Sequence, residues 1–316
     1  MLYLYRRGAP GMESLSPGRG WTVPDEAVWL DLHNPTRDEE LAVEAALGIE
    51  LPTIEEMAQI EPSSRLYQEN GATYMTATLL ARSDEGPRAA PVTFVLAGGR
   101  LVDIRYDELR AFKAFADRAP AQATGSGSAA LLGLLDAVIE RLAEILEQTG
   151  SGVEAASTAI FRAGETRKYD TLLGDLARAQ SVTSITRTSL VSLARLLSFG
   201  ALAPEIVTDR ECAAHLKSLQ RDAQSLTEHA GAQSSHIAFL LDAALGLINI
   251  EQNAIIKFFS VVAVIFMPPT LVASIFGMNF KHMPELDLAW GYPAALAVML
   301  ATAVLPVWWF KRRGWF

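Results

Sequence analysis

One cysteine, Cys212, occurs in 316 residues. An intrachain disulfide is therefore impossible, and a cysteine-based zinc cluster is excluded. Charge is scarce at one end: residues 251–316 carry only eight charged side chains. Basic residues are too few elsewhere to balance the acids. Residues 1–250 hold 22 of the 27 Lys and Arg but 33 of the 36 Asp and Glu, a net charge of −11. That acidity excludes nucleic acid, which asks for a basic face, and suits cations. The N-terminus, Met1-Leu2-Tyr3-Leu4-Tyr5-Arg6-Arg7, lacks the apolar core of a signal peptide. It reads as a short strand, and the acidic portion is expected to stay in the cytosol.

What is present falls into two regimes. Residues 1–120 alternate short β-rich runs with helical patterns and predict a cytosolic α/β domain. Val28-Trp29-Leu30-Asp31-Leu32 is a strand candidate, as are residues 74–80, 92–96 and 101–106. Gly98-Gly99 between the last two predicts a hairpin turn. Thr36 followed by Glu39 predicts a helix start with a capping box. Residues 120–128 read as a linker, and residues 121–203 as a helical region in which Leu131, Leu134, Leu135, Val138 and Leu142 share one apolar face. A last helix is expected to start near Pro204 or Thr208, with no strong breaker before Pro268. It would span about 60 residues, or about 90 Å, too long for one compact domain. Residues 204–253 are thus expected to form a stalk, with Gly231 and Gly246 as weak points.

Residues 258–280 and 288–310 carry no charge, 23 residues each. At about 34 Å apiece they are long enough to span a bilayer. The spans are placed at residues 254–280 and 288–310, joined by an external loop, 281–287, that contains Glu285 and Asp287. The competing reading is a buried helical hairpin in a soluble core. Trp290 and Tyr292 at one end of the second run, and Trp308 and Trp309 at the other, sit as an aromatic belt does. Lys257 before the first run and Lys311, Arg312 and Arg313 after the second place both chain ends in the cytosol, the tail being residues 311–316.

The first run is not uniform around its axis. Asn253, Ser260, Met267 and Ser274 recur every seven residues, and Ile256, Ala263, Thr270 and Gly277 lie three after each. Together they make an a/d seam, the narrow face used in helix bundles. Most of the polar groups of the run sit there, while Phe258, Val261, Val262, Ile265, Leu271 and Val272 occupy the other faces. Small and polar residues also serve simple helix packing in membranes. An axial pore explains the same pattern, and Pro268-Pro269 adds carbonyls that must find partners in neighbours or water. Two helices cannot enclose a path, so conduction requires oligomerisation.

At the exit of this run the sequence resembles the CorA family of magnesium and cobalt channels. Gly277-Met278-Asn279 matches its GMN motif. Met283-Pro284-Glu285-Leu286 and Gly291-Tyr292-Pro293 match its loop and the start of its second span. Ile265-Phe266-Met267-Pro268 with Thr270 matches the middle of its pore helix, and the basic end from Lys311 matches its tail. Asp31-Leu32-His33-Asn34-Pro35 and Pro91-Val92-Thr93-Phe94 are also similar to family stretches. The resemblance implies a funnel-shaped homopentamer in the inner membrane. Five first helices would line the pore, with Asn279 and the Gly277 carbonyls as the outer ring that receives the ion. Thr270, Met267 and Asn253 match pore-lining positions, and Ile256 falls near a hydrophobic constriction. Mg2+ is implied as the transported ion and as a regulatory ligand, with Co2+ and Ni2+ as other permeant ions and no organic cofactor. Family members sense internal Mg2+ through acids between subunits. Here Ser218 stands where one such Asp is expected, with Asp209, Glu211 and Asp222 nearby, so the regulatory metal site stays unassigned.

Other candidates carry blander readings. Cys212 and His215 lack a further clear ligand, His229 and His236 suit a helix surface, and Asp31 with His33 lacks a catalytic third partner. Asp38-Glu39-Glu40 fits a helix start. Two alternatives to a Mg2+ channel stand: a zinc transporter of the same superfamily, whose members usually have a glycine-rich loop where this chain has Met283–Leu286, and a membrane-anchored enzyme or scaffold. The charge asymmetry makes one prediction. With Cys212 replaced by serine, Glu285→Cys will react with a membrane-impermeant thiol reagent added outside, and a cysteine added after Phe316 will not. External labelling of the C-terminus would overturn the orientation.

Overall fold

A computed structural model describes residues 1–7, 12–18, 20–59, 61–83, 86–118, 125–162, 169–279, 283–284, 288 and 290–314. The chain divides into two compact units, Met1–Leu241 and Asp242–Phe316.

The first unit is built on one sheet. Its strands are β1 (Leu2–Arg6), β2 (Glu13–Leu15), β3 (Ala27–His33), β4 (Leu66–Glu69), β5 (Ala72–Ser83), β6 (Gly86–Ala97) and β7 (Arg100–Arg105). They lie in the order β2-β1-β3-β7-β6-β5-β4. β3 and β7 run parallel at the centre, and the other neighbours are antiparallel. Both central strands are buried along almost their whole length, as strands covered on two faces are. The β6–β7 turn is Gly98-Gly99, at φ 56° and 77°. Two consecutive positive φ values are what a two-residue hairpin with matching twist demands. β6 begins earlier than its sequence suggests, at Gly86. Pro87 and Pro91 disguise it, yet both are tolerated because β7 pairs only with Val92–Ala97 and leaves the first half of β6 an edge.

Helices cover both faces. α1 (Arg37–Leu47) and α2 (Ile54–Met57) pack Val43 and Met57 with Leu2, Leu4, Leu30, Leu32 and Ile104. Each starts in a capping box: the Thr36 backbone N–H donates to Glu39 at 2.8 Å, and Thr53 to Glu56 at 2.8 Å. Gly48, at φ 67°, closes α1. α3 (Pro62–Arg65) leads into β4. The opposite face carries α4 (Arg110–Arg118), α5 (Gly127–Phe161), α6 (Tyr169–Gly200) and the first part of α8 (Arg210–Phe276) over Trp29, Met75, Leu79 and Phe94. Leu131, Leu134, Leu135, Val138 and Leu142 are all buried there.

Two local expectations change. Of the linker expected over residues 120–128, residues 120–124 lie outside the described residues, and its end is already helix. Ser126 caps α5 by accepting the Ala129 N–H at 3.2 Å, and Gly127 sits against the β6–β7 turn, where a Cβ would stand 2.3 Å from the Arg100 carbonyl carbon. The helix expected from Pro204 or Thr208 resolves into two: α7 (Pro204–Val207) and α8. Asp209 separates them, its Oδ1 accepting from the Glu211 and Cys212 amides at 2.9 and 3.3 Å. α8 then runs through Gly231, Gly246 and Pro268-Pro269 without a break. The second unit holds the rest of α8 and α9 (Gly291–Arg312).

The core contains one ionic network. Parallel pairing sets Asp31 opposite Asp103 and His33 opposite Arg105. The Arg105 guanidinium donates to both Asp31 oxygens, at 2.8 and 3.2 Å, and lies 4.7 Å from the Phe112 ring centre. Trp29 Nε1 donates to Asp103 at 2.5 Å. Burial, and then the Asp31 carboxylate, hold the Asp103 carboxyl well above the usual range. Asp31 and His33 are not a catalytic pair: Asp31 is committed to Arg105, and burial followed by Arg105 pushes the His33 imidazole down. The native state thus binds at Asp103 a proton that the unfolded chain releases. The associated stability is full below the ordinary carboxylate pKa and is lost as pH rises through the folded one. Asp103→Asn should flatten that loss in circular-dichroism melts of the full chain at several pH values. Arg105→Leu, which strands the buried Asp31, should cost about 3–5 kcal/mol; equal melting of the two variants would contradict the pairing.

Candidate ion path along the first apolar helix

Two helices, α8 and α9, are long and apolar enough to cross a membrane. Their apolar residues are not a soluble core. Phe258, Phe259, Phe266, Leu271, Leu300 and Leu305 are each at least 60% exposed in the chain. So large an apolar surface requires a non-aqueous surrounding. This overturns the reading of residues 258–310 as a buried hairpin. Lys311 and Arg312 fall in the last turn of α9, where cations suit the helix end. Arg312 and Arg313 each lie 5.0 Å from a tryptophan ring centre, Trp308 and Trp309.

α8 places Asn253, Ile256, Ser260, Ala263, Met267, Thr270 and Ser274 on one stripe, and every one of them is exposed. On the other faces Val261 is buried and Val262, Ile265, Pro268, Pro269 and Val272 are half-buried, while Phe258, Phe259, Val264, Phe266 and Leu271 are exposed. Val264 joins Leu305, Pro306, Trp308, Trp309 and Phe310 of α9 around a shallow apolar cavity. Among the described residues of its unit, the polar stripe is therefore left exposed.

The polarity of that stripe is specific. Ser260 donates its hydroxyl proton to the Ile256 carbonyl at 2.8 Å, and Thr270 donates to the Phe266 carbonyl at 2.7 Å. With their protons committed, both hydroxyls present lone pairs outward. Pro268 and Pro269 lack the N–H groups that Val264 and Ile265 carbonyls would otherwise accept. Among the described residues the stripe thus carries neutral acceptors between apolar side chains, and no charged side chain stands on it. A hydrated cation points its water hydrogens outward and meets acceptors of this kind without shedding its shell.

α8 ends at Phe276 in a tight turn, with Gly277 N–H donating to the Ala273 carbonyl at 3.0 Å and Met278 N–H to Ile275 at 3.3 Å. A Cβ on Gly277 would stand 3.2 Å from the Ala273 oxygen, so glycine fits this exit best. Gly277, Met278 and Asn279 all lie exposed just beyond the helix. The loop acids Glu285 and Asp287 lie outside the described residues.

Among the described residues, no group of three or more His, Cys, Asp or Glu is placed to hold a metal. Cys212 is buried, with its thiol 3.8 Å from the Ser128 hydroxyl. His215 points elsewhere, 3.9 Å from Asp136. His229 and His236 are exposed on α8, as are Glu211 and Asp222, while Ser218 is half-buried. The two amides that Asp209 accepts hold its carboxyl below the usual range. Sequence reasoning missed Asp103 and Arg105; the signal available was two charges inside the otherwise apolar run Leu101-Val102-Asp103-Ile104-Arg105.

These features define a helical membrane protein with two spanning segments and a neutral polar stripe. The chain belongs to the CorA family: the model described as "CorA-like Mg2+ transporter protein" matches residues 24–312. It is 36% identical to the magnesium transport protein CorA of Pasteurella multocida over 294 residues, 92% of each chain. It is 37% identical to that of Escherichia coli strain K12 over 292 residues, again 92% of each. Its fold is similar to the complete CorA magnesium transporter of Methanocaldococcus jannaschii, with a TM-score of 0.77 at 18% identity, covering 100% of this chain and 99% of that one. The cytoplasmic domain of ZntB from Vibrio parahaemolyticus gives a TM-score of 0.58 at 10% identity, over 79% of this chain and 99% of that one.

Proposed function

We propose that this chain assembles as a homopentamer in the inner membrane, with its termini in the cytosol, and conducts Mg2+ inward, with Co2+ and Ni2+ as lesser permeant ions. The observation that carries the reading is the exposed stripe of neutral acceptors on α8, ending at Gly277-Met278-Asn279. An unpartnered polar stripe on a lipid-length helix is relieved when several copies turn it toward a common axis. The seven site positions from Asn253 to Ser274 then line that axis. Asn279 offers the first ring of amide oxygens, and Glu285 and Asp287 add acidic charge outside. Magnesium suits neutral rings. It gives up its water reluctantly, and a ring of amides and carbonyls grips the hydrated ion through its waters, where a carboxylate ring would hold it against release. The membrane potential supplies the drive: two charges crossing about 100 mV gain about 4.6 kcal/mol. Regulation by internal Mg2+ belongs to the same proposal, with its ligands unassigned.

The test is ion flux into proteoliposomes. Mg2+ uptake should appear with the native chain and fall at least about tenfold with Asn279→Ala, which removes the first oxygen ring while the protein still assembles. Near-normal Mg2+ flux from the assembled variant would refute the role of Asn279. Zn2+ uptake without Mg2+ uptake would favour the zinc transporter, and no flux of any ion would favour a membrane-anchored scaffold.

A further inference from the structure

A basic pocket lies in the first unit, remote in sequence from the seam. It has a volume of about 490 Å³, and Arg65, Arg187 and Arg195 line it together with Thr78, Thr188 and Ser192. No carboxylate lines it. In a chain of net charge −9, three guanidiniums around one cavity without an acid call for a physical account.

Each wall is explained by the fold. β4 begins at Leu66, opposite Met75, so the edge of β5 lies open beyond Met75. The Thr78 N–H there donates to the Ser192 hydroxyl of α6 at 2.9 Å. Arg65 reaches the same edge. Its guanidinium donates to Thr78 Oγ1 at 2.9 Å and to the Gln59 and Met57 carbonyls at 2.5 and 3.2 Å. All of these partners are neutral, so Arg65 is positioned while its charge stays uncompensated. Arg187, Thr188, Val191, Ser192 and Arg195 follow at helical spacing on one face of α6. Among the described residues, none of the three arginines forms an ion pair with a carboxylate, and Arg187 and Arg195 are exposed. Burial, and then the charge of Arg195, lower the proton affinity of Arg65. The fold therefore sustains a repulsion between guanidiniums that a bound anion would relieve.

We infer that this pocket binds a polyphosphate anion. Three guanidiniums exceed the charge of one phosphate but match a chain of two or three, and the planar fork of arginine pairs with phosphate oxygens bidentately. The Ser184 hydroxyl adds a neutral donor, while the Thr188 hydroxyl is committed to the Ser184 carbonyl at 3.0 Å. A second cavity, about 800 Å³, shares Leu66, Val191 and Arg195 and continues over Gln220, Gln224 and Thr227 to Glu228. Gln220, Gln224 and Thr227 donate within the fold, to the Leu197 carbonyl, Glu228 and the Ala223 carbonyl. This cavity therefore offers acceptors to a donor-bearing body attached to the phosphates, as in a nucleotide, while inorganic polyphosphate would fill the first cavity alone.

The test is isothermal titration calorimetry on the full chain in detergent, in magnesium-free buffer, with inorganic triphosphate, ATP and orthophosphate as probes. Binding does not depend on ion conduction, so it stands or falls separately from the transport reading. Triphosphate or ATP should bind once per chain and more tightly than orthophosphate. Removing both exposed guanidiniums, R187Q with R195Q, should weaken binding by about tenfold or more per arginine, with R187K and R195K intermediate. Tighter binding of ATP would identify a nucleotide, and equal binding the inorganic chain. Affinity unchanged in the double variant, or no binding of either polyphosphate, would overturn the inference. If the double variant instead altered the oligomeric state in light scattering while the native chain bound no polyphosphate, the arginines would belong to a contact with an acidic face of a second copy.

Discussion

A membrane-length helix pays for each polar acceptor it shows to hydrocarbon, and α8 carries a stripe on which such groups recur. The hydroxyl oxygens of Ser260 and Thr270 and the Asn253 amide cost free energy against lipid unless another surface meets them. Among the described residues of its own unit, the stripe is exposed. The proposed assembly around a shared aqueous axis would answer this constraint, and the proposed conducting role uses the same geometry. The arrangement also accounts for the neutrality of the stripe. A fixed charge inside a bilayer is expensive, and a multivalent ion bound by carboxylates would leave slowly.

The first unit has the opposite character. Its sheet is closed over on both faces, and among the described residues the charges at its centre are tied into the Asp31–Arg105–Asp103 network. That network gives parallel β3 and β7 a matched register, because a one-residue slip would turn each of these groups to the other face and strand it. Buried ion pairs add little net stability compared with apolar packing, and breaking one is costly. Their role here is to define one pairing of the strands over which α5 and α6 pack.

Legibility in the sequence followed the range of each interaction. Charge-free runs, the seven-residue seam and the Thr36–Glu39 capping box are local patterns, and each could be read from neighbouring letters. So could the Gly98-Gly99 turn. The ionic core could not, because Asp31 and Asp103 are brought together only by the parallel pairing of distant strands. The first half of β6 was hidden by Pro87 and Pro91, whose edge placement depends on where β7 stops. The α7–α8 boundary turned on a side-chain cap from Asp209 that propensity does not register. The basic pocket joins Arg65 to Arg187 and Arg195 across the open edge of β5, and no local pattern announces it. The identity of the family was legible because its motif sits at one helix exit, where spacing and context are both local.

The central claim is that the stripe on α8 faces water while its other faces do not. It is tested most directly by cysteine accessibility in membranes, in a Cys212→Ser background. Single cysteines at Ser260, Ala263, Met267 and Ser274 should react with a small hydrophilic thiol reagent, and reaction should be slowed by Mg2+. Cysteines at Val261, Ile265 and Val272 should stay unreactive. Equal reactivity on all faces, or protection of the stripe alone, would contradict the account.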